Sequence, residues 1–161
     1  MTKNKKILLQ IKEIRLKAET VKTSDKFVFP NNLPQKTSLE FMSTGVNWRE
    51  YAGTGVNEGI NMYVYKHVFG VRLLASDDEG GNNESCVAQV EVEYDAIYSQ
   101  KDKNDKPTHD NLQGFSRNAE HNLWPFWREH AHNTLLKMGI PNVMLPLNLP
   151  IPEKAKKSQK G

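Results

Sequence analysis

The chain holds one cysteine in 161 residues, Cys86. No internal disulfide can form, and this sparing use fits a reducing cytoplasm. No run of about 18 apolar residues occurs, so no transmembrane helix is expected. The opening residues, Met1-Thr-Lys-Asn-Lys-Lys-Ile-Leu-Leu, have a basic start but only three apolar residues before Gln10. That is too short for a secretory h-region, and no leader is expected. Catalytic signatures are missing as well. There is no G-x-S-x-G elbow, and Gly53-Thr-Gly55 and Gly80-Gly81 lack the spacing and the trailing Lys-Ser/Thr of a phosphate loop. Asp77, Asp78 and Glu79 lack the pattern and closing glutamate of a calcium loop. Cys86 falls on the apolar side of an alternating strand and reads as a small core residue, not a nucleophile. The chain is not expected to be an enzyme, and no cofactor is implied.

What is present is the composition of a soluble domain, 37% hydrophobic and 25% charged. Its length suits one domain, here placed over residues 1–150, that buries roughly 70% of its unfolded surface. The net charge of +3 conceals a division. Residues 1–36 carry nine Lys or Arg against three Asp or Glu, and residues 151–161 four against one, so the centre is acidic. The centre has no basic-aromatic stripe and no recognised nucleic-acid motif, so no nucleic-acid partner is expected. Residues 151–161 read as a basic, disordered tail.

Alternation organises the first hundred residues. Over Ile7–Lys22 two patterns compete. Ile7, Ile11 and Ile14 fit a helical face, whereas Ile14, Leu16 and Ala18 alternate with Arg15, Lys17 and Glu19. Thr20, Val21 and Thr23 tip the reading to a strand over about Gln10–Val21. Lys26–Pro30 reads as extended, Asn31–Pro34 as a turn or crossing loop, and Thr37–Ser43 as a strand with Leu39 and Phe41 on one face. Gly45–Gly59, with four glycines, reads as loop. Met62–Ala75 is a long strand carrying Tyr63, Tyr65, His67, Phe69, Val71 and Leu73 on one face. Ser76–Glu84 is a polar hairpin connection. The next strand points Cys86, Ala88, Val90, Val92, Tyr94, Ala96 and Tyr98 one way and Gln89, Glu91, Glu93 and Asp95 the other, an antiparallel strand with one wet face. Lys101–Asp110 is a charged loop.

The densest apolar block is Leu123–Asn148, with Trp124 and Trp127 on either side of Pro125 and Phe126. Proline suits the first turn of a helix, Gly139 supplies the stop, and Pro141 prevents resumption. Trp124, Trp127, Ala131, Leu135 and Met138 share one helical face, expected at an oligomer interface; Phe126 and Leu136 fall elsewhere. His121, His130 and His132 invite a metal reading, but residues two apart on a helix diverge by about 200°, and no H-E-x-x-H spacing exists. No metal site is expected.

The segment Leu123-Trp-Pro-Phe-Trp-Arg-Glu129 resembles the L-F-P-[YF]-A-R-E helix start of the SecB family of export chaperones. Leu123, Pro125, Arg128 and Glu129 stand as that family has them, and Trp124 and Phe126 are aromatic replacements. Gly139-Ile-Pro-Asn-Val-Met-Leu-Pro-Leu-Asn148 is similar to its G-x-[FY]-P-x-L-x-L-x-P-[IV]-N-F run, and Gln10-Ile-Lys-Glu-Ile-Arg-Leu resembles its first strand. The resemblance implies an α+β fold, a four-stranded antiparallel sheet with a long C-terminal helix packed on it. It also implies a homotetramer, a dimer of dimers with that helix in the interface. Such proteins hold non-native or export-bound polypeptides in the cytoplasm without ATP, along exposed apolar grooves. For client contact it directs attention to Phe27, Phe29, Leu33, Leu39 and Phe41.

Departures shape what is carried over. Leu147-Asn-Leu-Pro-Ile-Pro152 is broken by prolines where the family continues into a second helix, so the groove is expected to be more open. The tail is basic where the family's general members end in acidic residues, so docking on a translocation motor through acidic surfaces is not implied. Lys101–Asn111 is charged where the family is small and glycine-rich. Divergent SecB-like proteins also serve single partners, such as the antitoxin of a toxin–antitoxin system. The reading from another class is a non-enzymatic assembly protein that uses the sheet and aromatic helix for self-association.

Overall fold

Period-two alternation over residues 61–100 builds the centre of the fold. The structure is a computed structural model that describes residues 9–27, 36–44, 47–76, 84–140 and 143–148. In chain order it forms β1 (Leu9–Thr23), β2 (Thr37–Ser43), β3 (Asn47–Ala52), a 3₁₀ turn (Gly55–Asn57), β4 (Asn61–Ser76), β5 (Glu84–Gln100) and α1 (His109–Lys137). The strands form one antiparallel sheet in the order β1-β5-β4-β2, and β3 joins β4 beside β2. β2 pairs with Phe69–Ala75 and β3 with Asn61–Lys66, so the edge opposite β1 is shared by two short strands. The expected α+β class holds, with five strands in place of four.

The fifth strand is β3, within a stretch expected to be loop. Asn-Trp-Arg-Glu-Tyr-Ala places Trp48 and Tyr51 three residues apart and so shows no period-two alternation, and pairing with β4 makes it a strand. Trp48 contributes an edge-to-face contact with Tyr63, ring centroids 6.4 Å apart. The turn back to β4 closes tightly over Gly53, where a Cβ would collide with the carbonyl oxygens of Asn57 and Ile60.

β4 keeps its expected faces, with Tyr63, Tyr65, His67, Phe69, Val71 and Leu73 all buried. β5 departs at one point. Leu73 faces Ala88 and Leu74 faces Cys86, which leaves Val87 as the extra residue of a bulge. Val87 and Ala88 are therefore both buried, and the phase reverses below them. Cys86, expected in the core, is exposed for this reason.

β1 carries two register shifts, at Lys12 and at Lys17. Five-residue spacings would put Ile11, Leu16 and Val21 on opposite faces in a regular strand. The two bulges absorb the odd residues, so these three stand opposite Tyr98, Tyr94 and Val90, all core-facing. The broken alternation also explains why a helical pattern competed over this segment.

α1 starts at His109, well before the expected start near Leu123. Thr108 caps it, its side chain accepting from Asn111 N–H while Asn111 accepts from the Thr108 N–H. Asp110 in the first turn and Lys137 in the last suit the helix dipole. Pro125 is thus inside the helix and not in its first turn. Its ring removes the donor that would reach the carbonyl of His121, and both residues are exposed, so the missing bond lies on the solvent side of the helix. At the other end Gly139, with φ 78°, closes the helix as expected. Gly139 N–H donates to Leu136 O, and Ile140 N–H reaches Leu135 O, a Schellman motif with Ile140 packed in the core.

One face of α1 covers the sheet through Leu112, Ala119, Leu123, Trp124, Trp127, Ala131 and Leu135. Side-chain bonds fix it in place: Tyr65 donates to Leu112 O at 3.0 Å and Asn122 to Tyr98 Oη at 2.9 Å. The hairpin 77–83, Pro141 and the tail 151–161 lie outside the described residues.

Candidate functional site

Helix α1 divides its apolar residues between two surroundings. Trp124, Trp127, Ala131 and Leu135, expected between subunits, are buried within this chain, none more than 3% exposed. Trp127 lies 4.7 Å from Trp124 and 5.6 Å from Phe69 between ring centroids. Met138 is partly buried against the same core. These five side chains therefore fill the chain's own core, because the sheet presents a broad aromatic face that needs large partners. The apolar residues of α1 left outside are Phe126, 51% exposed, and Leu136, 46% exposed.

Of the residues singled out for client contact, Phe27, Leu39 and Phe41 are partly buried against the core. Leu39 and Phe41 stand opposite Leu73 and Val71 on the helix side of the sheet, and Phe41 meets Trp127 edge-on at 6.3 Å. Phe29 and Leu33 lie outside the described residues. The three described residues form part of a wall and do not project freely.

An apolar groove lies on the other side of α1. A cavity of about 640 Å³ is lined by Pro125, Arg128, Glu129 and His132 from the helix and by Val143, Met144, Leu145 and Leu147 from the chain beyond it. That strap is held at two points by the helix. The Trp124 indole N–H donates to Pro146 O at 3.2 Å, and His132 Nδ1 lies 3.3 Å from Val143 O. Val143 turns inward and is buried, while Met144 is 88% and Leu147 75% exposed. Both were within the quoted Gly139–Asn148 run, but no periodicity marks a non-helical strap as a binding wall.

A second, shallower trough runs between α1 and β1. At one end it is lined by Leu9, Ile11, Tyr98, Phe115, Asn118 and Asn122, and at the other by Ile14, Leu16, Tyr94, Phe126, Glu129 and Asn133. Ile11, Leu16 and Val21 stay 42–50% exposed beside it. Burial, with Glu19 and Glu129 adding to it, pushes the Tyr94 phenol up to about 12.

The histidines of α1 serve separate ties. His130 Nε2 lies 3.0 Å from Glu19 Oε1 on β1, and His132 faces the strap. Among the described residues no group of three or more His, Cys, Asp or Glu is placed to hold a metal ion. His67 is 1% exposed and stacked flat on Phe69 at 5.3 Å, with neither ring nitrogen hydrogen-bonded. Burial lowers its pKa, so it is neutral in the fold.

The wet face of the sheet is charged but balanced. Lys66 pairs with Glu93 at 2.6 Å, Arg72 with Glu40 at 3.5 Å and Lys17 with Asp95 at 3.9 Å. No described helix is long and apolar enough to cross a membrane.

No protein-family model matches the sequence. No curated protein matches it either. Among solved structures the chain is similar to the Mycobacterium tuberculosis Rv1957 SecB-like chaperone in complex with a ChAD peptide from the Rv1956 HigA1 antitoxin. The match has a TM-score of 0.64 at 18% identity and covers 89% of this chain and 92% of that one. The fold is that of a SecB-like chaperone.

Proposed function

We propose that this chain is a SecB-like molecular chaperone that holds non-native or export-bound polypeptides in the cytoplasm without nucleotide. The observation that carries the reading is the groove between α1 and the strap. It combines exposed Met144 and Leu147 with a wall fixed in advance by Trp124 and His132. A concave, mostly apolar groove with a few polar groups at its edge is a common form of binding site. A pre-formed wall lowers the ordering cost of binding an extended chain. The SecB-like fold supports the same reading, since the similar structure is of a chaperone with an antitoxin-derived peptide. Holding requires apolar surface and no catalytic residue.

The proposal includes a homotetramer, a dimer of dimers, assembled over the trough and the exposed Phe126 and Leu136. Several grooves on one assembly would raise avidity for a long client. A dedicated client, such as an antitoxin, is a narrower form of the same proposal. The contribution of Phe27, Phe29, Leu33, Leu39 and Phe41 to client contact remains part of it, as a second wall beside β2. One domain over residues 1–150 with a separate basic tail is likewise proposed.

The test is dilution of a chemically unfolded protein from denaturant with and without this chain, in the absence of nucleotide, with mass followed by light scattering. Suppression of aggregation near stoichiometry by a tetramer is expected. A folded tetramer that suppresses nothing would count against general holding. The assembly-protein reading draws support from the apolar trough, and an environment-sensitive dye separates the two. A holdase binds dye while folded and assembled, whereas an assembly protein does not.

A further inference from the structure

We infer that Arg128 makes the groove selective for extended segments that carry a carboxylate beside their apolar anchor. This rests on the groove being a polypeptide site.

The argument begins with ion pairs. Arg15, Arg72 and Arg117 each hold a carboxylate, of Glu13, Glu40 and Glu120, while Arg49 on β3 pairs with none among the described residues but does not line this groove. Arg128 holds none among the described residues, although it is partly buried and lines the groove. Its helix neighbours one turn away are Trp124, Pro125, Ala131 and His132, so α1 offers it no acid at pairing distance along its own face. Glu129, the adjacent residue, lies about 100° round the helix and lines the β1 trough as well as the groove.

An unpaired guanidinium on the rim of an apolar groove is a specific recognition element. Its planar fork matches a carboxylate with two parallel N–H···O bonds, which a point-charge ammonium does not reproduce. Once a segment lies against Pro125, Val143, Met144 and Leu147, water is partly displaced from the groove, which strengthens such a pair relative to one on open surface. A large hydrated anion such as a nucleic-acid backbone gains nothing from that apolar lining. An acidic residue flanking an apolar one satisfies both halves of the site, the side chain against Met144 and Leu147 and the carboxylate on Arg128.

The test uses the full chain and two fluorescent peptides, identical apolar segments flanked by Glu in one and Gln in the other. Affinities are measured by anisotropy for the wild type, Arg128→Gln and Arg128→Lys. The wild type is expected to prefer the Glu peptide by about tenfold, the size of one charge-assisted bond at a partly wet rim. Arg128→Gln should bind both peptides with the weaker affinity, and Arg128→Lys should retain part of the preference. Equal wild-type affinities, unchanged in Arg128→Gln, would overturn the selectivity while leaving the groove as a polypeptide site. Failure of both peptides to bind the wild type would sink the groove reading and the selectivity with it. A fall in assembled mass for Arg128→Gln would assign its partner to a second copy and also overturn the proposal.

Discussion

Glu19 on β1 and His130 on α1 are 111 positions apart in sequence, yet Glu19 Oε1 lies 3.0 Å from His130 Nε2. The same oxygen accepts from Thr134 Oγ1 at 3.1 Å. One carboxylate therefore ties the edge strand to the second half of the helix, across the end of the trough. Among the described residues the edge strand has no partner on its outer side, so this tie restrains the element most able to fray.

Replacing Glu19 by Ala should release the outer half of β1. Both side chains are partly exposed, so the cost should be about 1 kcal/mol and not more. Hydrogen exchange is the sensitive readout. Amides of residues 16–23 should exchange faster, while those of β4 stay as in the wild type. Uniform acceleration throughout the sheet would show that the tie supports the whole fold and not the edge.

Trp127→Ala and Phe126→Ala should part company although the residues are neighbours. Trp127 is fully buried among Phe69, Phe41 and Trp124, so its truncation should cost about 3–5 kcal/mol in urea denaturation. Phe126 is half exposed, and Phe126→Ala should leave chain stability within about 1 kcal/mol while lowering the assembled mass. An unchanged mass would remove Phe126 from the proposed subunit contact.

Cys86 should react with a maleimide in the native protein at a rate close to that in denaturant. The Val87 bulge turns it out of the core. Slow native labelling, accelerated by unfolding, would show that regular alternation persists to the hairpin.

That cysteine marks where sequence pattern stops being sufficient. Alternation located β4, most of β5 and the buried face of α1 because each has one uniformly dry side. A bulge is invisible to such a pattern, since it depends on which partner residue is skipped. The two in β1 mixed apolar spacings of three and five, and one shifted Cys86. β3 was hidden because Trp48 and Tyr51 stand three apart and break the period of two, so this short edge strand shows only in its pairing with β4. The early start of α1 was hidden by Asn, Gly and Ser in its first turns, which Thr108 and burial of Leu112 and Ala119 override. The apolar face of the helix was legible, but whether it met the chain's own sheet or a second subunit was not, because that depends on how broad an aromatic face the sheet presents. The groove wall was not legible at all, because its exposure depends on two side chains holding a strap without regular structure.

Acid should destabilise the fold through His67. In the unfolded chain this histidine takes a proton near its ordinary pKa of about 6.5. Burial lowers that pKa in the fold, so the unfolded state binds the proton first as pH falls. Its contribution is therefore complete above about pH 6.5 and is lost as pH drops from there toward the lowered folded value. His67→Phe keeps an aromatic ring against Phe69 and removes the titration. Urea midpoints between about pH 8 and pH 5 should fall more steeply for the wild type than for His67→Phe. Parallel slopes would mean that the histidine is not neutral and buried as described.

Trp124→Phe isolates the strap from the core. The smaller ring can still occupy the space against Phe69 and Trp127, but the indole N–H that reaches Pro146 O is gone. A single side-chain hydrogen bond contributes about 1 kcal/mol, and some packing is lost as well, so the fold should survive with a modestly lower urea midpoint. The strap is then held from the helix by His132 alone, and Val143–Leu147 should become more open to exchange and proteolysis. If the groove works because its wall is fixed before a client arrives, affinity for an apolar peptide should fall about tenfold through faster release. Met144→Asp should abolish the same binding by placing a charge where the apolar anchor rests, with no loss of stability, since that side chain is already in water. A Trp124→Phe protein with a loosened strap and undiminished affinity would show that the client makes its own wall, and preorganisation would be dropped as the basis of binding.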